Sequence, residues 1–197
     1  CDPGTCLADC VAGGASGDST FLLRAFTEAG IENAAFGPIW DPASVQLCRD
    51  AGTGARVSLS VGGRSGPEAG EPVGLIGEVR KYIPNLIQGA MGAIRPIDFG
   101  EAVWISTDRN TDLILHSKRA ATFLPNVLQD FGIDLSRKSV VTCKMWRHGE
   151  AGFAGVAAEC RSVTTPGALS LDFASIPYES VVRPLWPVVP NPFAAKE

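Results

Sequence analysis

The stretch Asp9-Cys-Val-Ala-Gly-Gly-Ala-Ser-Gly-Asp18-Ser-Thr-Phe-Leu-Leu-Arg24 constrains this chain more than any other. A short apolar run ends at Asp9 and breaks into a loop with Gly13, Gly14 and Gly17. Phe21, Leu22, Ala25, Phe26 and Ala29 then fall on one helical face, which predicts a helix from about Asp18 to Ala29, stopped by Gly30. Glycine lets such a loop take positive φ, and the helix start offers unpaired backbone N–H groups to a nearby anion. Strand, glycine loop and helix N-terminus is the order in which α/β proteins commonly build a site. Two readings stay open. The loop is an anion or carboxylate site with Asp18, Ser19 and Thr20 as polar contributors, or it is a tight turn with Asp18 or Ser19 capping the helix. Neither a Walker A loop nor Gly-x-Gly-x-x-Gly is present.

The rest of the chain alternates strand and helix signals. Asn33 to Gly37 reads as a buried strand running into a turn at Pro38-Ile-Trp40, and Asp41-Pro42 is an N-cap followed by proline at the first helical position. That helix carries Val45, Leu47, Cys48 and Ala51 and ends at Gly52. Arg56 to Val61 alternates with period two and empties into a second glycine loop, Gly62-Gly-Arg-Ser-Gly-Pro67. Between Glu68 and Gly100 the periodicity is weak, with a strand expected within Val73 to Tyr82 and a loop at Gly89 to Ala93. Ala102 to Ser106 and Asp112 to His116 form a predicted hairpin. A helix through Phe123, Val127, Leu128 and Phe131 follows, then a strand at Ser139 to Cys143, a loop from Lys144 to His148, a helix over Gly149 to Ala158 and a last strand at Cys160 to Val163. Beyond Pro166 the chain is irregular and proline-rich, and its arm from about residue 177 should pack on the surface or on another domain. This order specifies one three-layer α/β domain with a mixed sheet flanked by helices.

Composition narrows the function classes. A formal net charge of -4 argues against a phosphate-tracking nucleic-acid binder. No apolar run reaches the roughly 18 residues of a membrane span. The chain opens on Cys1 without a signal-peptide pattern and reads as a piece of a longer product. Cys48, Cys143 and Cys160 are expected to be buried thiols, while Cys1, Cys6 and Cys10 leave a disulfide or metal role open. The overall cysteine usage suits a reducing, cytoplasmic compartment.

Several residues could carry chemistry. Arg64 in the second glycine loop and Lys118-Arg119 beyond a strand are candidates for a substrate carboxylate, which Arg binds bidentately. His148, beside Lys144, Arg147 and Glu150, could act as a general acid or base, whereas His116 within a strand reads as structural. The common hydrolase signatures are missing, and the chain has no zinc ligand set.

Taken together, the motifs resemble the C-terminal domain of the microcystinase C-like (MlrC-like) metallopeptidase family, over almost the whole length. The resemblance rests on Asp9 through Thr20, Phe21-Leu-Leu-Arg24, Ala35-Phe-Gly-Pro-Ile-Trp-Asp-Pro42 and the Gly62-Gly63-Arg64 loop. It continues through His116-Ser-Lys-Arg119, Phe131 to Asp134, Lys144 to His148, Pro166 to Ser170 and Arg183-Pro-Leu-Trp-Pro187. Where the family has Asn-Pro-Gly this chain has Cys10-Val11-Ala12, and Arg64 replaces a lysine. The resemblance implies a companion domain of a zinc-dependent peptidase acting on linearised microcystin and related small peptides. Zinc and its ligands would belong to an N-terminal domain absent here, and no metal is expected in this chain alone. Gly13, Gly14, Ser19, Thr20, Arg64 and Arg119 would contact the peptide, with His148 and Asp18 in catalytic roles and Asp9 organising the loop. Self-association into a homo-oligomer stays open. The alternative is a stand-alone module binding a small anion or other ligand without catalysis.

Overall fold

The computed structural model describes residues 2–6, 8–145, 147–170, 172–191 and 193, with the backbone only for residues 2–6 and 147. Cys1 and the side chains of Cys6 and Arg147, all weighed above, lie outside what it describes. One eight-stranded mixed sheet forms the middle layer. Its strands are β1 (Asp2–Cys6), β2 (Ala34–Trp40), β3 (Arg56–Val61), β4 (Val73–Gln88), β5 (Ile97–Thr107), β6 (Asp112–His116), β7 (Val140–Cys143) and β8 (Arg161–Val163). Their spatial order is β3-β4-β5-β6-β2-β7-β1-β8. From β3 to β6 neighbours run antiparallel, and from β6 to β8 they run parallel.

Alternation of side chains across the sheet separates two cores. Phe36, Val103, Ile105, Leu113 and Leu115 pack on one face with Leu23 of α1 (Phe21–Glu28) and Val45 and Cys48 of α2 (Pro42–Ala51). Ala35, Ala102, Ile114 and Val141 pack on the other with Val127 and Leu128 of α3 (Asn126–Gln129) and Phe153 of α4 (Arg147–Phe153). Helix, sheet and helix layers follow, as the alternating pattern expects.

The structure departs from the sequence reading at β2, which runs on through Trp40 where a turn is expected, at α4, which spans Arg147–Phe153 in place of 149–158, and most plainly in three further places. First, β4 is far longer than anticipated, because its pairing with β5 shifts register near Val79, Ile83 and Leu86 and so scrambles the period-two signal. Pro84 is tolerated there because β3 pairs only with residues up to Glu78 and leaves the rest of β4 as an edge. Second, α3 is a single turn. Pro125 disfavours helix in the residue before it. Instead, the buried Gln88 side chain accepts the N–H groups of Phe123 and Leu124 and donates to the Ala121 carbonyl. Third, α1 begins at Phe21, and neither Asp18 nor Ser19 caps it; Thr20 stands at the N-cap without a side-chain capping bond.

Asp41 and Pro42 start α2 as expected, with Asp41 Oδ1 accepting from Ser44 N at 3.0 Å. The proline-rich arm carries no helix or strand among the described residues, and leaves Val182 and Trp186 exposed.

Candidate functional site

Parallel strands β1, β2, β6 and β7 place their carboxyl ends on one edge, where ligands of open α/β sheets usually bind. The segments that follow these strands interlock. Asp41 N donates to the His116 carbonyl, Trp40 N to Gly17 O, and the Trp40 indole to Ser117 O. Two clusters organise this edge.

The first is built on Asp9. Its Oδ1 accepts from Gly17 N at 2.8 Å, and its Oδ2 accepts from Ser19 N at 2.8 Å and Lys144 Nζ at 2.6 Å. Lys144 also donates to the carbonyls of Gly17 and Ser19, each at 2.9 Å. All three ammonium protons and both carboxylate oxygens are thereby engaged in a nearly water-free setting. Arg119 secures the outer side of the same loop, donating from Nη2 to Gly14 O and from Nε and Nη2 to Ala15 O.

The second cluster joins the two glycine loops. Asp18 Oδ2 accepts the backbone N–H of Arg64 at 2.8 Å and of Ser65 at 3.0 Å, while Gly63 N donates to the Asp18 carbonyl at 2.9 Å. Asp41 Oδ2 accepts from Gly62 N at 2.9 Å, Ser44 Oγ at 2.8 Å and Arg64 Nη1 at 2.7 Å. Four successive amides, Gly62 through Ser65, thus point at acidic residues or a carbonyl of the same chain. The turn requires glycine. Gly62 and Gly63 have φ of 62° and 63°, and a Cβ on them would lie 2.5 Å from the Asp18 carbonyl oxygen and 2.6 Å from the Glu71 carbonyl carbon. Arg64 Nη2 is bonded to Ser60 O, so its guanidinium is tied to the protein on two sides.

Asp18 is 2% exposed, and its Oδ1 is sealed from solvent. Burial alone would raise its pKa. The hydroxyls of Ser16 and Ser65 and the two backbone N–H groups outweigh that and hold it below the ordinary carboxylate value. Asp18, Trp40, Asp41, Pro42, Ala43 and Arg64, together with Ser65, line a cavity of about 190 Å³.

Of the remaining candidates, only Ser19 is part of these clusters. Thr20 is wholly buried and donates to the carbonyls of Ala69 and Glu71. Ser19 belongs to the Asp9 cluster, while Gly13 and Gly14 are exposed on the outer turn, with Leu169 packed over Gly13. Lys118 pairs with Asp98. His148 lies in the first turn of α4 rather than in a loop; it is exposed, and among the described residues no hydrogen bond links it to Asp9, Asp18, Arg64 or Arg119. His116 is buried, its Nδ1 bonded to Lys118 O at 2.8 Å, and desolvation pushes its pKa down to about 3. Cys10, Cys48, Cys143 and Cys160 are free thiols, and Cys160, expected to be buried, is partly exposed. Cys10 contacts Met145 Sδ, and burial lifts Cys48 to about 11 and Cys143 higher still.

Lys144 and the wider reach of Asp41 escaped the sequence reading. Both immediately follow strands of the parallel set, so their position beside Asp9 and the second glycine loop was implicit in the strand order.

A three-layer α/β domain with interlocked acidic loops at its strand ends is the class that fold and site define. The chain belongs to the MlrC C-terminus family, whose model matches residues 7–180. It is 33% identical over 178 residues to Microcystinase C of Sphingomonas sp., covering 90% of this chain and 34% of that protein. A crystal structure of a candidate metallopeptidase from Mesorhizobium sp. BNC1 superposes with a TM-score of 0.80 at 26% identity, covering 95% of this chain and 37% of that one. The chain therefore spans about a third of the length of these relatives.

Proposed function

We propose that this chain is the substrate-gripping companion domain of a zinc-dependent peptidase, with the loops at the parallel strand ends forming the face that meets a small peptide. The partial coverage of both relatives supports it, since about two thirds of each lies outside the match and one of them is a candidate metallopeptidase. Zinc does not fit the donor groups here: among the described residues no cluster of three or more His, Cys, Asp or Glu side chains could hold a metal ion. The carboxylates that do gather are occupied by Lys144, Arg64 and backbone N–H groups. Metal and scissile-bond chemistry are accordingly assigned to a portion outside this sequence, whether linked to it or separate.

Within that reading the Gly62–Ser65 loop, Asp18, Ser19 and Thr20 shape the floor of the site. Arg119 holds the Gly13-Gly14 turn that borders it. Exposed His148 is available to a peptide reaching across from the metal-bearing portion, where it would exchange a proton with the substrate.

The observation that carries the proposal is the convergence of both glycine loops beside one partly open cavity at the strand ends. Zinc analysis of the purified chain tests it. Far less than one tightly held zinc per chain, with no peptide hydrolysis, is the expected result; a stoichiometric zinc would overturn the division of labour.

A further inference from the structure

β4 pairs with β5 only from Gly77 onward, while its first residues, Val73 to Ile76, pair with β3 alone. The two strand pairs fork at Gly77, where a Cβ would lie 2.7 Å from the Ile105 side chain and 2.8 Å from the Ser106 carbonyl oxygen. The fork leaves a cavity of about 420 Å³. Leu75 lines it from the β4 prong and Leu113 from the start of β6, with Leu23 and Phe26 of α1 and the following Ile31 across from them. Leu23 and Leu113 belong to the buried core of this face, and Phe26 and Leu75 pack on its margin, so the cavity extends that core toward solvent. Phe26 is fixed edge-on against Phe36, their ring centroids 5.2 Å apart. An apolar space of about 150 Å³ already holds benzene, and small-molecule sites begin near roughly 300 Å³. The cavity shares no lining residue with the one beside the glycine loops.

Charge at the rim is unbalanced. Asp108 and Arg109 both line the cavity. Asp108 is held by Arg56 in an exposed ion pair. Arg109 donates from Nη1 to the Thr27 carbonyl at 3.2 Å, and among the described residues it has no acidic partner. Two guanidinium groups thus face one carboxylate, and one positive charge is in excess. The end of α1 does not offset it with bare carbonyls there, since those of Ala25, Phe26 and Thr27 accept from Ala29, Ile31 and Gly30. Thr107 Oγ1 accepts the Thr111 N–H at 3.3 Å and keeps its own proton to donate. We propose that this fork is a binding site for a small carboxylate with an apolar body, its head at Arg109 and the Thr107 hydroxyl and its body between α1 and the two strand pairs. Such a molecule covers the apolar walls and cancels the excess charge. A neutral isostere does only the former, and a short carboxylate only the latter. The site is separate from the peptide-gripping face and stands whether or not that reading holds.

The test is a titration of the ¹⁵N-labelled chain with sodium octanoate, with n-octanol and sodium acetate as controls. Saturable shifts of the Thr27, Ile31, Leu75, Gly77 and Leu113 amides are expected with octanoate, weaker binding with n-octanol and none with acetate. Arg109→Gln should weaken octanoate binding about ten-fold, the loss expected when a charge-assisted bond is removed, and leave n-octanol binding as it was. Thr27→Trp, placed at an exposed helix position lining the cavity, should weaken both and decides the matter if Arg109→Gln does not fold. No saturable shift, n-octanol binding as tightly as octanoate, or unchanged octanoate binding in either folded variant overturns the site. Shifts of the same amides with protein concentration alone would assign the fork to a second copy of the chain and overturn it as well.

Discussion

Asp9 and Asp18 flank the same glycine loop, are equally buried, and end in opposite conditions. Every oxygen of Asp9 is engaged, and its partner Lys144 has no donor left over. Asp18 Oδ2 instead holds two amides of the second glycine loop, and among the described residues no ion pair joins its carboxylate to a side-chain cation. A buried carboxylate closed by an ammonium anchors its own loop, whereas one held by backbone N–H groups ties two loops to each other. The difference separates an ion-paired anchor from a loop-to-loop tie within about ten residues of chain.

Breaking the closed cluster should have the largest effect on stability. Lys144→Met strands the buried Asp9 carboxylate and is expected to cost about 3–5 kcal/mol in urea unfolding. A loss below 1 kcal/mol, on the order of an exposed pair, would mean the cluster is wetter than its geometry. Asp41→Ala comes next, at about 2–3 kcal/mol, combining a helix cap with the bond to the Gly62 amide and the Arg64 pairing. That variant should also loosen the second loop, read as faster amide exchange at Gly62 through Ser65.

Acid should act through His116, whose carbonyl accepts from Asp41 N. Its folded pKa of about 3 lies below its ordinary value, so the unfolded chain takes up the proton first as pH falls. Stability from this group is complete above about pH 6.5 and declines below it by up to about 1.4 kcal/mol per pH unit, until the folded pKa is reached. His116→Gln should flatten that slope; an unchanged slope assigns the acid sensitivity to the carboxylates instead. Arg119→Ala is expected to be the mildest change, about 1 kcal/mol or less, because its exposed guanidinium bonds only the two backbone carbonyls of Gly14 and Ala15.

Much of this was legible in the sequence. Asp41-Pro42 announced α2, the alternation at Arg56 to Val61 announced β3, and the motif order carried the family, because each signal is local. Long-range pairing was not legible. Lys144 lies 135 residues from Asp9, and only the parallel order of β1 and β7 brings them together. Asp18 read locally as a helix cap, but α1 starts three residues later and the carboxylate turns to the Arg64 loop. Register shifts in β4 and the proline before α3 hid those elements for the same reason: tertiary hydrogen bonds, not periodicity, set their limits.

The most direct test of the central claim is equilibrium binding of a short linear peptide with a free amino terminus to this chain in excess EDTA, followed by isothermal titration calorimetry. The account predicts binding that needs no metal and leaves the peptide uncut. Binding that appears only when zinc is restored would contradict it.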